Sequence, residues 1–253
     1  MQFTQEESKD GVTERLFEVT VAGQVVPGVM WTPDGAHGPR PLLLMGHGGG
    51  AHKMFPPLAA AGRRYAKEQH YAVVAIDAPD HGARATPEAT ASFSQQLREH
   101  LALGGGLGGE PLKVMLLAAV QAVSEWRAVL DRVQALGEVG AGGPTGYLGL
   151  SKGAMTGILL AASDARIKAA VFGLTGGAPQ LEEAARQISI PVEFVAQWDD
   201  ELMPRAAALA LFDAIGSSEK TLHANPGGHG GIPPFERAGW AQFFKRHLGS
   251  GAM

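Results

Sequence analysis

A chain of 253 residues, 45% hydrophobic and 18% charged, holds enough apolar material for one large α/β domain and too little charge for a disordered segment. Its net charge of −4 points away from nucleic acid and anionic membranes as partners, and the absence of cysteine excludes disulfides, thiolate catalysis and cysteine-ligated zinc. A reducing, cytoplasmic setting is expected, without membrane insertion: the polar start MQFTQEESKDGVTERL has no apolar signal segment, and no apolar run approaches the ~20 residues that span a bilayer.

In chain order, ERLFEVTVAG and QVVPGVMWTP read as an opening antiparallel pair joined at an Ala-Gly turn. RPLLLMGHG is a buried strand, PLAAAGRRYAKEQH a helix and YAVVAIDAP the next strand. A long helical segment, KVMLLAAVQAVSEWRAVLDRVQALG, leads to the strand PTGYLGLS, the helix KGAMTGILLAAS and the strand RIKAAVFGLTG. PQLEEAARQI is a short helix and PVEFVAQW a strand. PRAAALALFDAIG is helical, KTLHANPGG is a strand, and the amphipathic helix PPFERAGWAQFFKRHL closes the order. Such alternation predicts parallel strands with helices on both faces, hence a single α/β domain over 1–253 with a mostly parallel sheet of about eight strands. Burial on both sides accounts for the nearly continuous apolar strands. Residues 83–112, with ALGGGLGGEP inside, read as the one long irregular stretch, either a lid bordering a site or a surface excursion.

The segment YLGLSKGAM places Ser151 where a buried strand ends and a helix begins, with Gly149 and Gly153 on either side. A side chain there leaves the carboxyl edge of the sheet, where open α/β sheets bind ligands. The pattern G-x-S-x-G is what a very sharp turn requires if a serine hydroxyl is to protrude at a helix N-terminus. A serine at a helix start can also be a simple N-cap, so the surroundings must decide. A hydroxyl nucleophile needs a base, and the base an orienting carboxylate. AQWDDELMP places Asp199 and Asp200 after a later strand, and NPGGHGG places His229 in a glycine-rich loop after the last one. Ser, Asp, His is the chain order expected in this architecture. Donors for an oxyanion are offered by MGHGGGAHK, where Gly48, Gly49 and Gly50 follow His47, and by the N–H of Lys152 next to the serine. A phosphate-cradling loop is the other reading of those glycines, but the G-K-[ST] ending of a P-loop is missing.

With these elements in place, the chain resembles the α/β-hydrolase superfamily over essentially its whole length. IDAPDHGAR and SKGAMTG make it similar to the dienelactone-hydrolase-like and prolyl-oligopeptidase-like small serine esterases. The resemblance implies Ser151 as nucleophile, His229 as base and Asp200 as acid, with Gly49 and Lys152 as backbone oxyanion donors. Asp200 is preferred to Asp199 because the family's acid commonly lies four residues before a proline, here Pro204. Gly48, Gly50, Trp198 and Met203 are expected at the substrate pocket; no metal and no cofactor is implied. True dienelactone hydrolases use cysteine, which this chain lacks, and no segment is long enough for a large cap domain. His47, Asp80 and His81 are expected to tie loops together, and His52 and Lys53 to border the site. For Lys152 the N–H is expected to matter and the side chain not, a Ser-Lys dyad being the competing arrangement.

The expected activity is hydrolysis of small carboxylic esters through an acyl-enzyme. An acyl-CoA thioesterase would need a basic patch, for which Lys53, Arg63, Arg64 and Arg84 are candidates. Hydrolysis of amides, carbamates or lactones by the same residues, and a silent scaffold used only for binding, complete the alternatives. The sequence leaves the oligomeric state open.

Overall fold

The computed structural model describes residues 1–35, 38–102, 104 and 106–250. Its strands are β1 (Gln2–Lys9), β2 (Val12–Val21), β3 (Gln24–Pro33), β4 (Leu42–Gly46), β5 (Ala72–Ile76), β6 (Thr145–Leu150), β7 (Ile167–Gly173), β8 (Val192–Gln197) and β9 (Lys220–Asn225). Between and after them lie α1 (Pro56–Gln69), α2 (Pro87–Ala102), α3 (Gly109–Gln134), α4 (Lys152–Ala161), α5 (Pro179–Ala185), α6 (Arg205–Ala214) and α7 (Pro234–Leu248). One nine-stranded sheet runs in the order β1-β2-β3-β5-β4-β6-β7-β8-β9, antiparallel through β3–β5 and parallel from β5 to β9.

The apolar strands separate into two faces because neighbouring side chains alternate. Leu42 and Leu44 join Val74, Phe172 and Phe194 in a core under α3 to α6, whereas Leu43 and Met45 join Val73, Val171 and Val195 under α1 and α7. Helix α3 buries Met115, Ala119, Ala122, Trp126, Val129 and Val133, a stripe at helical spacing. Among the described residues no helix is long and apolar enough to cross a membrane.

Two expectations change. The opening antiparallel pair is preceded by a further strand: Gln2–Lys9 is an edge strand, exposed along its whole length, joined to β2 by Asp10-Gly11 with both residues at positive φ. Burial patterning has nothing to report in a strand with no buried face, although the Asp-Gly dipeptide was a hairpin signal. The 83–112 stretch is mostly helical, with a short 3-10 turn at Gly82–Arg84, then α2 and the start of α3; Leu103 and Gly105 lie outside the described residues. Phe93 packs against the core from α2, one turn before Leu97. The Leu107 N–H donates to the Leu202 carbonyl at 2.5 Å, so this region rests on the loop after β8.

β5 and β6 flank β4 on opposite sides, so the chain leaves β4 in both directions and the carboxyl ends of β4 and β6 open a crevice. The register Gly46↔Gly149 sets the loop after β4 beside the turn after β6.

Candidate active site

Ser151 caps α4 with φ 55° and ψ −124°, a conformation that L side chains rarely adopt. Its N–H donates to the Gly173 carbonyl at 2.9 Å, which anchors the turn to β7. Both flanking glycines are needed for space. A Cβ on Gly149 would stand 2.5 Å from the Gly153 carbonyl oxygen, and one on Gly153 would stand 2.4 Å from the Gly46 oxygen. The crowding comes from backbone, which cannot step aside as a flexible side chain can.

His229 arrives on the loop after β9. Its Nε2 lies 3.0 Å from Ser151 Oγ, and its Nδ1 lies 2.8 Å from Asp200 Oδ2. Asp200 is fixed in turn: its Oδ1 accepts the N–H groups of Leu202 and Met203, each at 2.8 Å. Burial pushes the Asp200 carboxyl up, but the hydrogen bonds from His229 and those two N–H groups outweigh it and hold the group below the usual carboxylate range. Asp199 does a different job. Its Oδ2 accepts the Gly227 N–H at 3.2 Å, and Glu201 Oε2 accepts the His229 N–H at 2.9 Å, so the neighbouring acids hold the histidine loop.

The glycine loop supplies further donors. Among the described residues the N–H groups of Gly48, Gly49 and Lys152 have no acceptor. The Ala78 N–H donates to His47 Nε2 at 3.0 Å, so Nδ1 carries the ring proton and donates to the Gly48 carbonyl at 2.9 Å. With that carbonyl held, the trans peptide turns the Gly49 N–H the opposite way. Burial, chiefly, pushes the His47 pKa down to about 4, so the ring is a neutral strut.

The IDAPDHGAR segment knits loops together. Asp77, fully buried, accepts the backbone N–H of Lys53 at 2.9 Å and its Nζ at 2.7 Å. Gly82, at φ +57°, passes so close that a Cβ would lie 2.3 Å from Asp77 Oδ1. His81 Nδ1 lies 2.8 Å from the Pro79 carbonyl. Lys53 thus serves the loop after β4 rather than substrate, and His52 Nδ1 accepts the Met54 N–H at 3.2 Å.

Lys152 is the unforeseen feature. Its side chain is 2% exposed, with Nζ 3.5 Å from the Pro79 carbonyl and 3.4 Å from His81 Nδ1, away from the serine hydroxyl. Burial pushes its pKa down to about 8, against the pull of Asp80. Because the folded-state value lies below the ordinary 10.5, the cost of burying the cation is complete below about pH 8 and is relieved as pH rises from there toward 10.5. Lys152→Met retains the N–H and removes the buried charge. It is expected to change kcat on a neutral ester by less than about five-fold, where loss of an oxyanion donor costs about a hundred-fold or more. It is also expected to raise stability at pH 7 by roughly 1–3 kcal/mol, with the gain shrinking above about pH 8. Steady-state kinetics and urea unfolding at two pH values check both.

Beside Ser151 and His229 opens a cavity of about 560 Å³, lined by Gly48, Gly49 and Gly50. Its other walls come from α1 and α7: Leu58, Tyr65 and Trp240, with Arg64 and Arg237 among them. Trp198 and Met203, expected here, do not line it. Trp198 faces outward and stacks on Arg205 at 4.0 Å, while Met203 is buried in the core and contributes its N–H to Asp200. No described residue of 83–112 lines the cavity. The wall residues were legible only as apolar helix positions, indistinguishable in sequence from core.

No family model matches the chain, and no curated protein matches it. Solved structures do. A cold-adapted esterase from an Arctic intertidal metagenomic library is 35% identical, with 98% of this chain and 100% of that one covered and a TM-score of 0.80. Acetyl xylan esterase from Paenibacillus sp. R4 is 18% identical over 98% of this chain and 88% of its own, with a TM-score of 0.69. Dienelactone hydrolase from Anabaena variabilis is 19% identical over 94% and 99%, with a TM-score of 0.62. The last two likenesses are of fold.

Proposed function

The chain belongs to the α/β-hydrolase superfamily as a carboxylesterase-type hydrolase, and from that premise we propose that it cleaves small carboxylic esters through an acyl-enzyme formed on Ser151. The observation that carries this reading is the hydrogen-bonded line from Ser151 Oγ through the His229 imidazole to Asp200, set beside free N–H groups. His229 Nε2 takes the hydroxyl proton as Oγ attacks the ester carbonyl. The N–H groups of Gly49 and Lys152 receive the negative charge that develops on the carbonyl oxygen. His229 then passes its proton to the departing alcohol, leaving the acyl group on Ser151. Water, deprotonated by the same imidazole, releases the acid and restores the hydroxyl. Asp200 keeps the Nδ1 proton in place and offsets the charge of the imidazolium.

The mostly apolar cavity suits an uncharged acyl or alkyl group of small to medium size. A basic patch for acyl-CoA finds little support. Lys53 is engaged by Asp77, Arg84 makes a two-pronged pair with Glu125 at 2.7 Å, and Arg63 binds Glu14. Of the four cations considered for such a patch, Arg64 alone lines the cavity.

A fluorophosphonate probe is expected to label the wild-type chain once, at Ser151, as mapped by peptide mass spectrometry. A panel of p-nitrophenyl esters of rising acyl length is expected to give higher kcat/KM than the matching acyl-CoA thioesters. Labelling elsewhere, or a preference for acyl-CoA, would overturn the proposal.

A further inference from the structure

A second cluster of reactive groups lies between the edge of the sheet and α7. In the parallel β8–β9 pair, Glu193 is registered with Thr221, Val195 with His223 and Gln197 with Asn225, so these side chains share one face. That is the face α7 covers, and Glu236 of α7 reaches down to it. Glu236 Oε2 lies 2.8 Å from His223 Nδ1, and its Oε1 accepts the Asn225 amide at 2.8 Å. Glu193 Oε1 lies 3.5 Å from the same His223 Nδ1 and has no hydrogen-bond partner. Both carboxylates are withdrawn from water, Glu193 at 5% and Glu236 at 3% exposure.

One imidazole proton can satisfy Glu236, but the Glu193 oxygen is then left bare, and a buried carboxylate without a partner is costly. Arg246 also lies near Glu193, and it makes no hydrogen bond to the buried Glu193 Oε1. A divalent cation would serve all three donors together. The three ligand atoms lie within 4.8 Å of one another. A tetrahedral zinc ion with bonds of about 2.1 Å needs its ligands about 3.4 Å apart, and the His223–Glu193 separation of 3.5 Å meets that spacing. The 2.8 Å contact to Glu236 would widen as the ion replaces the proton. A cavity of about 240 Å³, lined by Glu193, His223 and Arg246 among others, gives the site an entrance and room for a water as fourth ligand.

We propose that Glu193, His223 and Glu236 form a zinc site that fastens α7 to the β8–β9 edge of the sheet. One imidazole nitrogen with two carboxylate oxygens is a donor set for zinc rather than for magnesium or calcium, which prefer all-oxygen shells. The role is structural. The same helix supplies Trp240 and Arg237 to the wall of the large cavity, so the ion would steady that wall without touching the reacting atoms.

The test is calorimetric titration of the EDTA-treated full chain with zinc chloride, with thermal unfolding alongside. Wild type is expected to bind one zinc per chain and to unfold at a higher Tm with zinc present, since the ion binds the native site and not the unfolded chain. Glu193→Gln and His223→Gln are each expected to weaken binding by about ten-fold or more and to abolish the rise in Tm. Absence of binding in wild type, or equal binding in wild type and both variants, overturns the proposal. Should a variant not fold by circular dichroism, X-ray absorption of zinc-loaded wild type decides. One imidazole with oxygen ligands supports the site; two or more imidazoles, or water oxygens alone, refute it.

Discussion

Ser151→Ala is expected to lower kcat on p-nitrophenyl acetate by on the order of a million-fold, the cost of removing a nucleophile that works as a unit with its base. Fluorophosphonate labelling should vanish with it. Stability is expected to change little: among the described residues the hydroxyl hydrogen-bonds only to His229, and the φ of 55° is as demanding for alanine as for serine. The turn stays anchored by the Ser151 N–H to Gly173 and by the two flanking glycines. Circular dichroism and a melting curve confirm that the variant is folded before its rate is read. More than about a tenth of wild-type activity remaining would remove Ser151 from the role of nucleophile.

Asp200→Asn is the second large effect, expected at about ten-thousand-fold in kcat, because an amide at that position favours the wrong imidazole tautomer. Its Oδ2 lies 2.8 Å from His229 Nδ1 in a side chain already engaged by two backbone N–H groups. Asp199→Asn is expected to cost far less, since Asp199 touches the Gly227 backbone and not the imidazole. The comparison is made on purified variants with the same ester at saturating concentration. The reverse ranking would hand the acid's role to Asp199 and leave the serine and histidine assignments intact.

Much of the fold was legible because its signals are local. The run LLLMG alternates between two cores yet is apolar throughout, so it announced a strand buried on both faces. Gly149, Ser151 and Gly153 announced a sharp turn because only backbone spacing is involved. Edge strand β1 was missed because none of its side chains is buried, and α2 because its apolar positions are few and only half-buried. For Lys152 the sequence supported an N–H donor, but placing its side chain under the turn beside Pro79 and His81 required the packing of the loop after β5.

From the sequence alone came the alternation of strands and helices, the sharp turn at Ser151, the glycine loop and the Ser, Asp, His order, each a pattern carried within a few neighbouring residues or by their succession. Between the two adjacent aspartates the resemblance favoured Asp200 through its spacing from Pro204, and the tertiary structure supplies the geometry: Asp200 meets the imidazole while Asp199 turns to the Gly227 backbone. The tertiary structure alone moved Trp198 and Met203 out of the pocket and put Tyr65 and Trp240 into it, because a cavity wall is made by two helices distant in sequence. The same holds for Glu193, His223 and Glu236, which lie on two strands and a helix with no spacing to mark them. Local backbone chemistry is written in neighbouring residues, whereas a site assembled across elements exists only once hydrophobic burial has fixed how those elements face one another.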